Sequence, residues 1–215
     1  AGLAHNSAGR PVRAAQLLRT ALSGLPPLDS PADPATDAVR VSCLLTLALT
    51  ELVTSGLDAA QAVLADARRL AGDEPELVAR YRCQRGHILG RSGDFATAAA
   101  ELRVVIDEPG WFTALEKSTS HLTLGMISFE LGRPDDAADH FSTAASLARE
   151  ADDARHEFMA EHNRGYALYL TGDLPGALAA MATAEAIPAD VFRGPSLFDL
   201  ARVLYRDEDR PLVEG

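Results

Sequence analysis

The densest set of chemistry-bearing side chains is the stretch His156-Glu157 to Glu161-His162. A zinc-protease helix needs two histidines one helical turn apart, so that both face one metal, with a glutamate beside the first as general base. Here the residue one turn after His156 is Ala160, and His162 falls on a different face. The spacing predicts no metal site. Cys43 and Cys83 are the two cysteines. They are too few for a disulfide framework, and the expectation is two reduced thiols in the core or groove. Gly90 to Gly93 lacks the lysine and hydroxyl residue of a phosphate-binding loop, and no Gly-x-Ser-x-Gly elbow is present. The expectation is a protein without enzymatic activity and without a cofactor.

Other residues suit recognition better than reaction. Arg80, Cys83, His87 and Arg91 recur at helical spacing in one segment. Thr119, Leu122, Met126 and Phe129 do so in the next, and His162, Tyr166 and Tyr169 in a third. Read as one strip, they run from basic through apolar to aromatic. Such a strip takes an extended peptide or a helix, with side chains as anchors. The plainer reading is that Leu122, Met126 and Phe129 pack against a neighbouring helix.

These residues need elements that repeat. With Gly132 as anchor, Gly125 lies seven residues before it, and Ala137, Phe141 and Ala144 lie five, nine and twelve after. Gly172 has Gly165, Ala177, Met181 and Ala184 at the same offsets. Gly93 has Gly86, Ala98 and Leu102, with Val105 where a small residue is expected. Gly9 has Gly2, Ala14, Leu18 and Ala21, and a weaker copy anchors on Ser55 with Ala48, Ala60, Leu64 and Ala67. The anchors at 55, 93, 132 and 172 are 38, 39 and 40 residues apart. Small residues two turns apart share a helix face, and facing small residues let two antiparallel helices approach closely. A turn glycine supplies positive φ, and a proline fits the first turn of the next helix.

The pattern predicts an all-α, right-handed α-solenoid of about five helix-turn-helix repeats. Helices are expected at about 1–8, 11–23, 35–54, 58–71, 75–92, 95–107, 113–131, 134–150, 152–171, 174–187 and 196–206. The repeats then occupy about 1–23, 35–71, 75–107, 113–150 and 152–187, with a further pair starting at 196–207. The solenoid would span 1–207, followed by a tail, 208–215. The first repeat has a short first helix, and the last pair lacks a second helix. Neither end reads as a polar capping repeat, so the expectation is a chain cut from something longer, whose other domains are partners.

The stretches 86-GHILGRSGDFATAAAELRVV-105 and 125-GMISFELGRPDDAADHFSTA-144 resemble the tetratricopeptide repeat. The resemblance covers about residues 2–187 and departs from that family in its longer period and in the missing aromatic of the first helix. More narrowly, 161-EHNRGYALYLTGDLPGALAAMATAEAI-187 followed by 196-SLFDLARVLYRD-207 is similar to the N-terminal repeat arm of bacterial CHAT-domain proteins. In that family the arm precedes a caspase-like peptidase domain. The resemblance implies a non-catalytic protein-recognition arm with no catalytic residue of its own. Related arms in signalling ATPases and transcription regulators imply the alternative, a repeat segment that binds a peptide or small effector. The Lys/Asn set of carboxylate-binding repeats is missing from the strip, which argues against a chaperone-tail receptor.

Composition bounds the rest. The chain has 215 residues, net charge −11, 47% hydrophobic residues and 6% aromatics. That apolar content is too high for a disordered chain. No apolar run is long enough to span a bilayer, and no signal peptide is visible. The expected location is the cytoplasm. Acidic balance argues against nucleic acid, which needs clustered lysine and arginine. Thirty-nine alanines, and 19 arginines against the single Lys117, match the codon usage of a GC-rich bacterial genome. Charge is uneven: residues 1–106 are neutral, while 107–161 hold twelve acids and four bases. Arg80, Arg82, Arg85 and Arg91 cluster in one helix. The acidic stretch is read as a solvated face, with electrostatic selection of a partner as the alternative.

Overall fold

The computed structural model describes residues 11–30, 32–108 and 110–188. Among them nine α-helices form and no strand. We number them α1 (Pro11–Ser23), α2 (Pro34–Thr54), α3 (Leu57–Ala71), α4 (Pro75–Ser92), α5 (Phe95–Asp107), α6 (Ala114–Glu130), α7 (Pro134–Glu150), α8 (Ala154–Thr171) and α9 (Leu174–Ala186). The expected helices at 1–8 and 196–206 lie outside the described residues. The chain divides into two compact units, Ala1–Asp107 and Glu108–Gly215.

Local signals set the helix ends. Prolines stand in the first turns of α2, α4, α7 and α9, where a missing N–H costs nothing. The Asp33 carboxylate accepts from Ala35 N at 3.1 Å and Thr36 N at 3.0 Å. Thr113 and Glu116 form a reciprocal capping box at the start of α6. Thr113 is therefore the cap and not the first helical residue. Asp152, at φ 53°, and Asp153, which caps α8 through His156 N, likewise stand outside α8. The turn glycines Gly93, Gly132 and Gly172 take positive φ, as the repeat requires. In the α2–α3 turn that role falls to Gly56, at φ 96°, and not to the anchor Ser55, at φ −132°.

In the first unit α2 packs on α1, α3 and α4, and α4 on α3 and α5. Its core gathers Val41, Leu44, Leu45, Ala48, Leu64 and Ile88. In the second unit α7 packs on α6 and α8, and α8 on α9 and α6. Its core is built from Leu122, Phe141 and a set of alanines at 137, 138, 144, 145, 160 and 167. Three helix pairs close through a glycine, and the α2–α3 pair has the buried Ala48 at that position. Gly86 lies against Leu102, Gly125 against Phe141 and Gly165 against Met181. Val105 is fully buried where the repeat predicts a small residue. Ala21, expected at a small-residue contact, is instead exposed. This architecture is an all-α helical repeat of the solenoid class.

Candidate functional site

The strip read from the sequence divides between the two units. In the first, Arg80, Cys83, His87 and Arg91 share one face of α4. Arg80 donates to Glu76 Oε1 from Nε at 3.0 Å and from Nη2 at 2.8 Å. It also lines a cavity of about 660 Å³ together with Asp37, Val41, Leu70, Glu76 and Leu77. Cys83 is buried, its Sγ 3.5 Å from His87 Nε2. Burial, followed by the positive charge of Arg91, pushes His87 down to about 4. Arg91 is exposed.

In the second unit the members fare differently. The Thr119 hydroxyl donates to Leu115 O at 2.9 Å, within its own helix. Leu122 is 6% exposed and belongs to the core, as the plainer reading had it. Met126 is 45% exposed. Phe129 of α6 stacks on Tyr166 of α8, with ring centroids 5.4 Å apart and planes at 26°. Tyr166 in turn stacks on Tyr169 at 6.3 Å and 16°. Both tyrosines rest on the cluster around Ala177 and Met181. His162 stacks on Phe158 at 6.0 Å. Phe129, Tyr166 and Tyr169 are half-buried, so this unit presents a continuous aromatic surface with Met126 on the same helix as Phe129.

Charged residues singled out by type prove to be structural partners. His156 Nδ1 lies 2.9 Å from Asp153 Oδ1. Glu157 accepts from Arg149 at 2.7 Å. Glu161, 5% exposed, meets Arg149 at 3.5 Å and Arg164 at 3.0 Å. Among the described residues no three His, Cys, Asp or Glu side chains come together. The arginine cluster of α4 is likewise neutralised. Arg82 donates to Glu101 Oε2 at 2.5 Å and Arg85 to Glu101 Oε1. Spacing along one helix could not reveal the pairs of Arg149 with Glu157 and Glu161 or those of Arg82 and Arg85 with Glu101, because each partner lies on another helix.

One buried residue escaped the sequence reading. Arg40, fully buried in α2, donates to Pro26 O at 2.6 Å, Pro27 O at 3.0 Å and Ser30 O at 3.3 Å, and to Asp37 at 2.8 Å. It fastens the connection between α1 and α2. Neither cysteine is in a disulfide. No helix among the described residues is long and apolar enough to cross a membrane.

Stacked helix pairs of this kind define an all-α helical-repeat protein. Residues 79–103 and 159–183 match the model of the tetratricopeptide repeat, so the chain carries repeats of that type. The chain is similar to BtubC (BKLC) from P. vanneervenii, with a TM-score of 0.69 at 18% identity, covering 94% of this chain and 83% of that one. It is similar to PilF of Pseudomonas aeruginosa, with a TM-score of 0.67 at 20% identity, covering 97% and 82%. A signal transduction ATPase with numerous domains (STAND), bearing a tetratricopeptide repeat sensor, from Pyrococcus horikoshii gives 0.60 at 13% identity. That match covers 96% of this chain but 29% of the ATPase. At these identities the likeness is one of fold. No curated protein matches the chain. The repeats themselves are of a kind that serves protein–protein interaction.

Proposed function

We propose that the chain is a non-catalytic recognition arm that binds a peptide or helix of a partner protein on the aromatic surface of its second unit. The observation that carries this reading is the partly buried stacked run Phe129–Tyr166–Tyr169, with the exposed Met126 on the same helix as Phe129. Aromatic rings held rigid by packing lose little entropy on binding and anchor interfaces. Capture of a partner should be lost in Tyr166→Ala/Tyr169→Ala, and a photo-crosslinker at Met126 should trap it. Unchanged capture with no adduct at Met126 would sink the assignment.

The arm belongs, on this proposal, to a larger cytoplasmic bacterial protein. A CHAT-type peptidase is supported by the resemblance of 161–187 and 196–207. The repeat segment of a signalling ATPase or transcription regulator is supported by the likeness to the Pyrococcus sensor-bearing protein. The complete gene distinguishes them: a His…Cys peptidase domain beyond Gly215 fits the first, a P-loop or DNA-binding domain the second.

A further inference from the structure

We infer that His121 of α6 and His140 of α7 form a two-nitrogen binding site for a borderline divalent transition ion, zinc or copper(II). Their Nδ1 atoms lie 3.1 Å apart. The rings are tilted by 50° with centroids at 5.3 Å, so nitrogen edges converge while ring faces do not. Two nitrogens each about 2.05 Å from a tetrahedral zinc are separated by about 3.3 Å. The observed gap is thus close to a ready chelate bite, and imidazole suits both ions. Both rings are half-buried, which leaves a path for the ion.

Repeat register explains why the two rings meet. His121 stands eleven residues before the turn glycine Gly132 and His140 eight after it. In the α4–α5 pair the same offsets from Gly93 give Arg82 and Glu101, which meet at 2.5 Å. In the α8–α9 pair they give Glu161 and Ala180; alanine cannot reach, and Glu161 turns to Arg149 and Arg164. In the α2–α3 pair, counted from Ser55, they give Leu44 and Val63, both in one apolar cluster. The same register therefore joins the two helices of a pair where both side chains are long enough to reach. Among the described pairs, α6–α7 alone fills it with two imidazoles.

Without metal, one Nδ1–H donates to the other Nδ1. On binding, that proton passes through solvent to Nε2 of the same ring, and both lone pairs face the ion with no net proton change. Water fills the remaining positions, because no third side chain completes a cluster among the described residues. The surplus acids of residues 107–161 raise the local cation concentration.

The test is titration of the full, chelator-treated chain with ZnCl2 by calorimetry, and with CuCl2 by electron paramagnetic resonance. The wild-type chain should take up one equivalent. That equivalent should be lost in His121→Ala and in His140→Ala and kept in His156→Ala. The copper spectrum of the wild-type chain should show coupling to two imidazole nitrogens, a readout that needs no variant to fold. No uptake by the wild-type chain, a single coupled nitrogen, or an isotherm unchanged in both histidine variants would overturn the site.

Discussion

A methyl group added at Gly125 would sit 2.5 Å from Cε1 and 2.7 Å from Cδ1 of Phe141. That ring is 1% exposed and has nowhere to go. Gly125→Ala should therefore destabilise the fold by about 1–3 kcal/mol through overpacking, read from urea denaturation. Gly165→Ala meets Met181 Cγ at 2.6 Å, but the thioether chain has more torsions to bend. It should cost less, and the reverse order would refute the argument. These contacts were legible in the sequence because small–large–small spacing is periodic and local to a helix pair. The ion pairs Arg19–Glu51, Arg85–Glu101 and Arg149–Glu161 were not, because their partners sit on different helices and charge type carries no register.

At the scale of elements, caps and turns announce themselves, since Ser/Thr/Asp caps, prolines and turn glycines act within a few residues. Among the described helices the bounds depart from the sequence reading by no more than two residues, at Pro34, Leu57, Thr113, Leu131, Asp152–Asp153 and Ile187. The α1–α2 connection is another matter. Its backbone carbonyls are held by Arg40, which is one arginine among many until α2 is folded. Arg40→Met should lower stability by about 3 kcal/mol, because it strips a buried charge from its partners and leaves carbonyls unpaired. It should also speed proteolysis within residues 24–33. A variant with wild-type denaturation midpoint and wild-type cleavage would count against this role.

For the whole molecule, charge decides a measurable property. The chain carries −11 overall, and residues 107–161 carry −8 of it. Raising ionic strength from about 0.01 M to about 0.15 M shortens the screening length from about 30 Å to about 8 Å. Ion pairs such as Arg149–Glu157 at 2.7 Å lie well inside either length, whereas repulsion between separated carboxylates does not. The melting temperature should rise with added NaCl, and a fall would show that the ion pairs outweigh the net charge.

The sequence by itself determined the all-α class, the helix-pair repeat, the turns and the small-residue contacts, because all of these follow from spacing within one or two helices. Only the tertiary structure decided which of the residues read as a strip are buried or engaged by neighbours. It sank Leu122 into the core, engaged Arg80 with Glu76, and stacked Phe129 on Tyr166 and Tyr169. It also brought His121 to His140 and Arg40 to the carbonyls of a distant connection. The physical reason is the same throughout. Periodicity tells which face of a helix a residue occupies, while its partner is chosen by how neighbouring helices cross, and that information is not local.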